Sequence, residues 1–167
     1  KYTDLSDAYL SVIKSLQHAA LAVERKLNID WIEASDLEDA NNVEAWGLLR
    51  NANGVLVPGG FGDRGIEGKV LAAQYARENN VPYLGICLGL QVATIEFCRN
   101  VLGIEDATST EFDADAANPA VIFMPEISKT HLGGTMRLGS RPTIFQVEDC
   151  VTKRLYGGCL LYTSPSP

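Results

Sequence analysis

The chain has 167 residues, of which 46% are hydrophobic and 21% are charged. This length and balance are typical of one soluble domain with its own hydrophobic core. The formal net charge of −7 argues against binding of nucleic-acid polymers, because proteins that hold a phosphate backbone through their electric field are basic. No apolar run approaches the roughly 20 residues that a membrane-spanning helix needs, so neither nucleic acid nor membrane is expected as a partner.

The chain begins Lys1-Tyr2-Thr3-Asp4, without an initiator methionine or a secretory signal. We therefore expect a piece of a longer, cytoplasmic protein with reduced thiols. No two of the four cysteines have C-x-x-C spacing, which argues against a zinc site and against a thioredoxin-type motif. The cysteine pattern thus predicts no metal site.

The first part of the chain is predicted to be mainly helical. Apolar residues recurring at helical spacing predict a helix over residues 6–27. Trp31 and Ile32 form a short strand-like run, and the acidic residues 36–42 are expected to be an exposed loop. Residues 43–50 are predicted to hold one or two helical turns.

An alternation of strands and helices follows. Residues 54–57 are predicted to be a buried strand that ends in the glycine loop 58–62, and residues 66–77 are predicted to be a helix. Residues 81–86 are the next predicted strand. A further helix begins at Leu88 and is stopped by Gly103, with Leu90, Ala93, Phe97 and Val101 along one face.

This alternation of strands and helices predicts an α/β fold with an open, mainly parallel sheet flanked by helices. Ligands of such sheets bind at the carboxyl ends of the strands, where both Gly60 and Cys87 fall. Beyond Gly103 the pattern weakens: residues 108–118 are predicted to be an acidic loop, and residues 120–124 and 143–147 are strand candidates.

The motif Gly85-Ile86-Cys87-Leu88-Gly89 is the thiol counterpart of the G-x-S-x-G nucleophile elbow. The N-terminus of the following helix favours the thiolate, which is the attacking form. The N–H of Leu88 is placed to donate to a developing oxyanion. A second donor is expected from the glycine loop 58–62, because glycine allows the backbone to approach a ligand closely. Without this context Cys87 would be a small buried hydrophobe.

A catalytic thiol normally needs a histidine to move protons. The chain has two histidines. His18 falls within the first predicted helix, and His131 precedes a glycine-rich stretch. Neither context marks a general base, so the residues alone leave the base unassigned.

The motifs at residues 58–62 and 85–91 resemble those of the class I (triad-type) glutamine amidotransferases. Three further segments are similar to the amidotransferase domain of the CTP synthase family: residues 1–9, residues 100–103 leading to residues 109–112, and the most distinctive, residues 133–139. The resemblance runs from Lys1 to about Gly157. It implies the fold of that domain, with flavodoxin-like layering.

By this resemblance, Cys87 attacks the side-chain amide of glutamine and ammonia is released. Gly60 and Leu88 match oxyanion and substrate-binding positions, and Gln91 and Glu111 match residues that hold the amino-acid head of glutamine. The resemblance implies no cofactor for this domain. In the family the ammonia reaches a separate synthetase domain, where ATP and magnesium activate UTP for conversion to CTP, and the parent protein is expected to be a homo-oligomer.

GTP stimulates the glutaminase step in the family. Gly134, Thr135 and Arg137 match a mobile lid that is tied to this response, and Arg64 and Glu67 are expected to take part in it. From the residues alone, Arg137 is equally well a solvated loop arginine.

The chain departs from the family near its end. The family's histidine-proline-glutamate motif and a downstream arginine are absent, and residues from Cys159 onward look unlike the family. We therefore expect a partial amidotransferase domain over residues 1–157, incomplete at its C-terminus, and a divergent, non-native or disordered tail over residues 158–167. Such a fragment is expected to be nearly inactive.

Two other functions remain open at this point. A cysteine hydrolase of another class would react with esters or peptides without preferring glutamine. A regulatory module would bind glutamine without hydrolysing it, which the missing base favours.

Overall fold

The computed structural model describes residues 6–123, 141–157 and 161–163 of the chain. The chain divides into two compact units, Lys1–Phe123 and Met124–Pro167. The first unit contains Cys87 and most of the residues that the sequence singles out. None of the described helices is long and apolar enough to cross a lipid bilayer.

Helices and short strands alternate through the first unit. A 3-10 turn, Ser6–Tyr9, leads into α1, and a 3-10 helix, Ala34–Glu38, precedes α2. The α-helices are α1 (Leu10–Ala22), α2 (Val43–Asn51), α3 (Ile66–Glu78) and α4 (Leu88–Asn100). The strands are β1 (Val55–Val57), β2 (Tyr83–Gly85), β3 (Thr108–Ser109) and β4 (Pro119–Val121).

Strands β1 and β2 are parallel, with Val55 opposite Tyr83 and Val57 opposite Gly85. Their carboxyl ends therefore lie side by side, and the glycine loop leaves one end while the elbow leaves the other. The Ile86 N–H donates to the Val57 carbonyl at 2.9 Å, which extends the pairing up to the residue before Cys87. Strands β3 and β4 form a second parallel pair, so the predicted α/β arrangement of parallel strands and helices is confirmed.

The core of the first unit lies between the first strand pair and helices α3 and α4. Its buried members are Val57, Ile66, Val70, Leu88, Val92 and Ile95. A second cluster, Leu37, Ala45, Leu49 and Ala72, joins the 3-10 helix and α2 to the other side of α3. Burying these side chains is the main favourable term in holding the elbow in place.

Two arginine–glutamate pairs connect α3 to α4. Arg77 Nε lies 3.0 and 3.1 Å from the carboxylate oxygens of Glu96, which is 2% exposed. Asn100 Nδ2 donates to the same carboxylate at 3.1 Å. At the other end Arg99 Nη1 contacts both oxygens of Glu67, at 3.0 and 2.8 Å, while its Nε donates to the Ala107 carbonyl at 2.7 Å. These bonds fix the helix behind Cys87 against its neighbour.

The second unit contains β5 (Arg141–Thr143), α5 (Val151–Leu155) and β6 (Leu161–Thr163). Strands β5 and β6 are antiparallel, with Arg141 opposite Thr163. The Cys150 Sγ accepts a hydrogen bond from the Lys153 N–H at 3.3 Å and caps α5. Lys153 also pairs with Glu148, and this partner lowers the pKa of the Glu148 carboxyl.

Several sequence predictions differ from the structure. The first helix ends at Ala22 rather than Leu27, and Glu24 adopts a positive φ of 53° just beyond it. Trp31 and Ile32 form no strand; Trp31 instead packs against the Tyr9 ring, with centroids 5.8 Å apart. The loop predicted for residues 36–42 begins inside the 3-10 helix, where Leu37 is buried.

The later strands were also misplaced in part. The predicted acidic loop 108–118 contains β3, and the strand predicted for residues 143–147 ends at Thr143 as β5. The strand predicted for residues 120–124 occurs as β4, which begins one residue earlier and ends at Val121; Met124 is outside the described residues. These strands have two or three residues, too few to produce a readable alternation of apolar and polar side chains.

Helix α4 is apolar on more than one side. The stripe formed by Leu90, Phe97 and Val101 is exposed, by 62%, 47% and 45% respectively. The buried side is instead formed by Leu88, Val92, Ile95 and Glu96. Periodicity therefore identified the helix but not the face that it buries in this unit.

Candidate active site

Cys87 stands at the turn between β2 and α4. Its backbone has φ 54° and ψ −107°, an unusual conformation for a residue with a side chain, and its side chain is exposed. Strained backbone of this kind is concentrated at functional sites. The strand-to-helix turn thus presents the thiol at the carboxyl end of the strand pair, as predicted for a nucleophile elbow.

The two flanking glycines are required by contact. A Cβ on Gly85 would lie 2.5 Å from the Gly89 carbonyl carbon, and a Cβ on Gly89 would lie 2.0 Å from the Val57 carbonyl oxygen. Both distances are shorter than any real side chain tolerates. The turn is therefore compact enough only because both positions lack a side chain.

Backbone hydrogen bonds close the turn. The Gly89 N–H donates to the Ile86 carbonyl at 2.9 Å, and the N–H groups of Leu90 and Gln91 donate to the Cys87 carbonyl at 3.0 and 3.2 Å. Leu88 is the first residue of α4, so its N–H has no carbonyl one turn earlier in the helix. An amide at this place can donate to a developing oxyanion beside the thiol.

The glycine loop after β1 passes directly against the thiol. A Cβ on Gly59 would lie 3.3 Å from the Cys87 Cβ and 3.8 Å from its Sγ. The sequence singled out Gly60, which is the next residue and is half-buried in the same loop. Gly59 is thus the position of close approach, and the double glycine was the signal for it.

Gln91 and Glu111 lie on different elements. The Gln91 side chain extends from the first turn of α4, and its Oε1 is buried with no hydrogen-bond partner among the described residues. Glu111 follows β3; its N–H is held by the buried Ser109 Oγ at 3.2 Å, and its side chain is exposed. A buried amide oxygen without a partner is costly, which makes Gln91 a candidate ligand contact.

Arg64 and Glu67 are already engaged in ion pairs. Arg64 pairs with Glu33, and Glu67 pairs with Arg99. Both side chains line an open cleft of about 490 Å³ that also includes Ser35, Asp63 and Phe112. Gly134, Thr135 and Arg137, the predicted lid residues, lie outside the described residues, as does His131.

Two features of the site were not anticipated from the sequence. The Tyr83 hydroxyl donates to the Gly89 carbonyl at 2.8 Å, and burial raises the pKa of Tyr83, which keeps the hydroxyl protonated. Glu96 holds Arg77 from within the core, and that hydrogen bond raises the pKa of Arg77. In the sequence Tyr83 is one residue of the predicted strand 81–86, and no local signal pairs it with Gly89.

The other described cysteines and acidic residues show no sign of a second site. Cys98 is half-buried inside α4, in agreement with a packing role. Within residues 6–123, 141–157 and 161–163, no group of three or more His, Cys, Asp or Glu side chains is arranged to hold a metal ion.

Comparisons with known proteins agree with this geometry. The family model described as "Glutamine amidotransferase class-I" matches residues 4–164. A solved structure titled "Trypanosoma brucei CTPS - glutaminase domain with bound acivicin" superposes with a TM-score of 0.86 at 35% identity, covering 98% of this chain and 64% of that one. The chain therefore belongs to the class I glutamine amidotransferases.

Within this family the relatives are CTP synthases. The chain is 60% identical over 162 residues to the CTP synthase of Dictyostelium discoideum and 56% identical over 168 residues to CTP synthase 1 of Saccharomyces cerevisiae. These matches cover 93% and 94% of this chain but only 28% and 29% of the relatives. The chain thus spans a little over a quarter of the length of the CTP synthases that it resembles.

Proposed function

We propose that this chain is the glutamine-hydrolysing part of a CTP synthase. The observation that carries the proposal is Cys87 at positive φ between two obligatory glycines, with the Gly59 backbone against its sulfur. The high identity to CTP synthases supports the choice of this family over other amidotransferases.

In this proposal the Cys87 thiolate attacks the side-chain carbonyl carbon of glutamine. The carbonyl oxygen becomes an oxyanion that accepts hydrogen bonds from the Leu88 N–H and from the glycine loop at Gly59 and Gly60. As this intermediate collapses, the C–N bond breaks, the amide nitrogen takes up a proton from solvent and leaves as ammonia, and a γ-glutamyl thioester remains on Cys87. Water then hydrolyses the thioester to glutamate.

The substrate head group is assigned to Gln91 and Glu111. An exposed carboxylate at Glu111 suits the α-ammonium of glutamine. The buried Gln91 Oε1 gains a partner when a donor from the substrate reaches it. Gln91 is connected directly to the elbow, since its N–H donates to the Cys87 carbonyl at 3.2 Å.

The whole protein is proposed to pass the ammonia to a synthetase domain outside this chain. There ATP with magnesium would activate UTP, and the product would be CTP. We propose that Arg64 and Glu67 take part in a GTP response, and that Gly134, Thr135 and Arg137 also contribute to it. A cytoplasmic homo-oligomer is proposed for the parent protein.

This chain by itself is proposed to turn over glutamine slowly. Its two histidines are His18, which is exposed on α1, and His131, and neither is assigned as the proton carrier. Loss of general acid–base help lowers rates by factors of about 10² to 10⁴. Steady ammonia release at a rate typical of an intact amidotransferase would contradict this part of the proposal.

The test uses intact-mass spectrometry after incubation with acivicin, a glutamine-like electrophile. We expect a single adduct that glutamine prevents, that Cys87→Ala abolishes and that Cys98→Ala retains. A folded chain that forms no glutamine-protected adduct would contradict the proposal. Labelling by simple esters without protection by glutamine would favour a cysteine hydrolase of another class.

A glutamine-binding regulatory module is the second candidate, favoured by the unassigned base. It predicts glutamine binding by Cys87→Ala and by the wild-type chain alike, with no adduct on either. Adduct formation on the wild-type chain therefore separates the two.

A further inference from the structure

Two peptide groups connect the Tyr83 hydroxyl to the Leu88 amide. The Tyr83 hydroxyl donates to the Gly89 carbonyl at 2.8 Å. That carbonyl shares a peptide group with the Leu90 N–H, which donates to the Cys87 carbonyl at 3.0 Å. The Cys87 carbonyl in turn shares a peptide group with the Leu88 N–H. A continuous hydrogen-bonded path therefore runs from the tyrosine to the amide assigned to the oxyanion.

Each bond in such a path strengthens the next. Resonance couples the C=O and N–H of a peptide group, so a donor at the oxygen makes the N–H a better donor. In condensed phases this cooperative gain is roughly 10–30% per bond. The direction of the path matters, because in every hydrogen bond the donor hydrogen points along the path toward the Leu88 N–H beside the thiol.

We propose that Tyr83 is a positioning residue of the oxyanion hole, whose hydroxyl orients and polarises the Leu88 N–H through the Gly89 and Cys87 peptide groups. The inference rests on the proposed function, because it needs an oxyanion to form beside Cys87. Tyr83 does not touch the substrate and acts only through the backbone of the elbow.

The packing of Tyr83 suits this role. Its ring lies against the core cluster that contains Val57 and Leu88, and its backbone is paired with Val55 in the strand pair. The ring is therefore packed on the core while the hydroxyl reaches the Gly89 carbonyl of α4. Burial raises the pKa of Tyr83, so the hydroxyl remains a donor at any pH at which the thiolate is assayed.

Tyr75 provides a matched control. Its hydroxyl also donates to a backbone carbonyl, that of Arg50, but at 3.5 Å and at the surface between α3 and the end of α2. Tyr75→Phe thus removes the same oxygen atom from a packed ring without touching the elbow.

The experiment compares two reactions of Cys87 in the full chain. In the first, the thiolate attacks the acyl carbon of γ-glutamyl p-nitrophenyl ester: a C–S bond forms, the oxyanion develops, and the C–O bond breaks to expel p-nitrophenolate. The phenolate leaves without needing a proton, so this step needs no general acid. In the second, the thiolate displaces iodide from iodoacetamide at a saturated carbon, and no oxyanion forms.

One oxyanion donor accelerates a reaction by about 10² to 10³. If the path from Tyr83 supplies roughly 10–30% of the corresponding lowering of the activation free energy, its share is a rate factor of about two to eight. We expect Tyr83→Phe to slow acylation by that factor at saturating ester, with half-saturation unchanged. Iodoacetamide alkylation should keep its rate, and Tyr75→Phe should change neither reaction.

Each other outcome has a separate meaning. Equal slowing of acylation and alkylation by Tyr83→Phe would indicate a merely structural role and overturn the inference. Unchanged acylation in Tyr83→Phe would also overturn it, while leaving the proposed function intact. Absence of glutamine-protected acylation in the wild-type chain would overturn both.

Discussion

Replacement of Gly89 by alanine tests the central packing contact of the site. The new Cβ would lie 2.0 Å from the Val57 carbonyl oxygen and 2.9 Å from its carbon. The oxygen cannot move away freely, because it also accepts the Ile86 N–H at 2.9 Å. Overpacking of this kind costs about 1–3 kcal/mol, and loss of the hydrogen bond adds about 1 kcal/mol.

Helix propensity acts in the opposite direction. Alanine is better than glycine inside a helix by up to about 1 kcal/mol. The clash and the lost hydrogen bond together exceed this gain, so we expect Gly89→Ala to lower the free energy of unfolding by about 1–3 kcal/mol. Gly47 in α2 is the matched control, since a Cβ there meets nothing within 4 Å. Gly47→Ala should raise stability by about 0.5–1 kcal/mol.

The assay is urea unfolding followed by tryptophan fluorescence, combined with the rate of acivicin labelling at Cys87. We expect Gly89→Ala to lose both stability and labelling, and Gly47→Ala to gain stability at unchanged labelling. If both variants were equally stabilised, the close contact between α4 and the Val57 carbonyl would be wrong. If Gly89→Ala labelled at the wild-type rate, the elbow would not depend on this contact.

Three further predictions concern individual side chains. Arg77→Ala should lower the thermal midpoint more than Arg64→Ala, because Arg77 neutralises the buried Glu96, whereas Arg64 is exposed and its partner Glu33 is only half-buried. Equal effects of the two substitutions would contradict this difference in burial. Tyr83 has a raised pKa in the folded state, so the unfolded chain releases the hydroxyl proton at a lower pH than the folded chain does. The free energy of unfolding should therefore fall as the pH rises above about 10. Thermal midpoints measured from neutral to alkaline pH should show a shallower fall in Tyr83→Phe. Gln91→Leu removes a buried amide oxygen without a described partner, so it should not destabilise the chain. The glutamine concentration that protects Cys87 should rise about tenfold, equivalent to about 1.4 kcal/mol of binding free energy. Unchanged protection would contradict the assignment of Gln91 to the substrate site.

The elements that carry the site were predictable because their signals are local. The apolar run of β1 closed by a glycine loop, and the glycines around Cys87, specify a strand end and a sharp turn within a few residues. The same holds for α3 and α4, whose apolar repeats are long enough to read. The position of Cys87 at a sharp strand-to-helix turn could therefore be predicted without knowledge of any long-range contact.

The features that failed depend on contacts distant in sequence. Trp31 has strand-like neighbours, yet its ring packs on Tyr9 and no strand forms there. Helix α4 is apolar on two sides, so only its packing on α3 and β1 reveals which side is buried. The bond from Tyr83 to Gly89 requires both the register of β2 and the start of α4, and neither can be derived from composition or periodicity.

Because Cys87 has a positive φ, the stability of the fold and the reactivity of the thiol favour different residues at this position. Left-handed backbone costs roughly 1–2 kcal/mol for a residue with a side chain and almost nothing for glycine. A selection for thermal tolerance alone would therefore favour glycine at this position, and a selection for thiol reactivity would retain cysteine. Variants of this chain that become more stable by changing residue 87 should thus lose acivicin labelling at that position, so the stability of the fold and the reactivity of the thiol cannot be improved together at this residue.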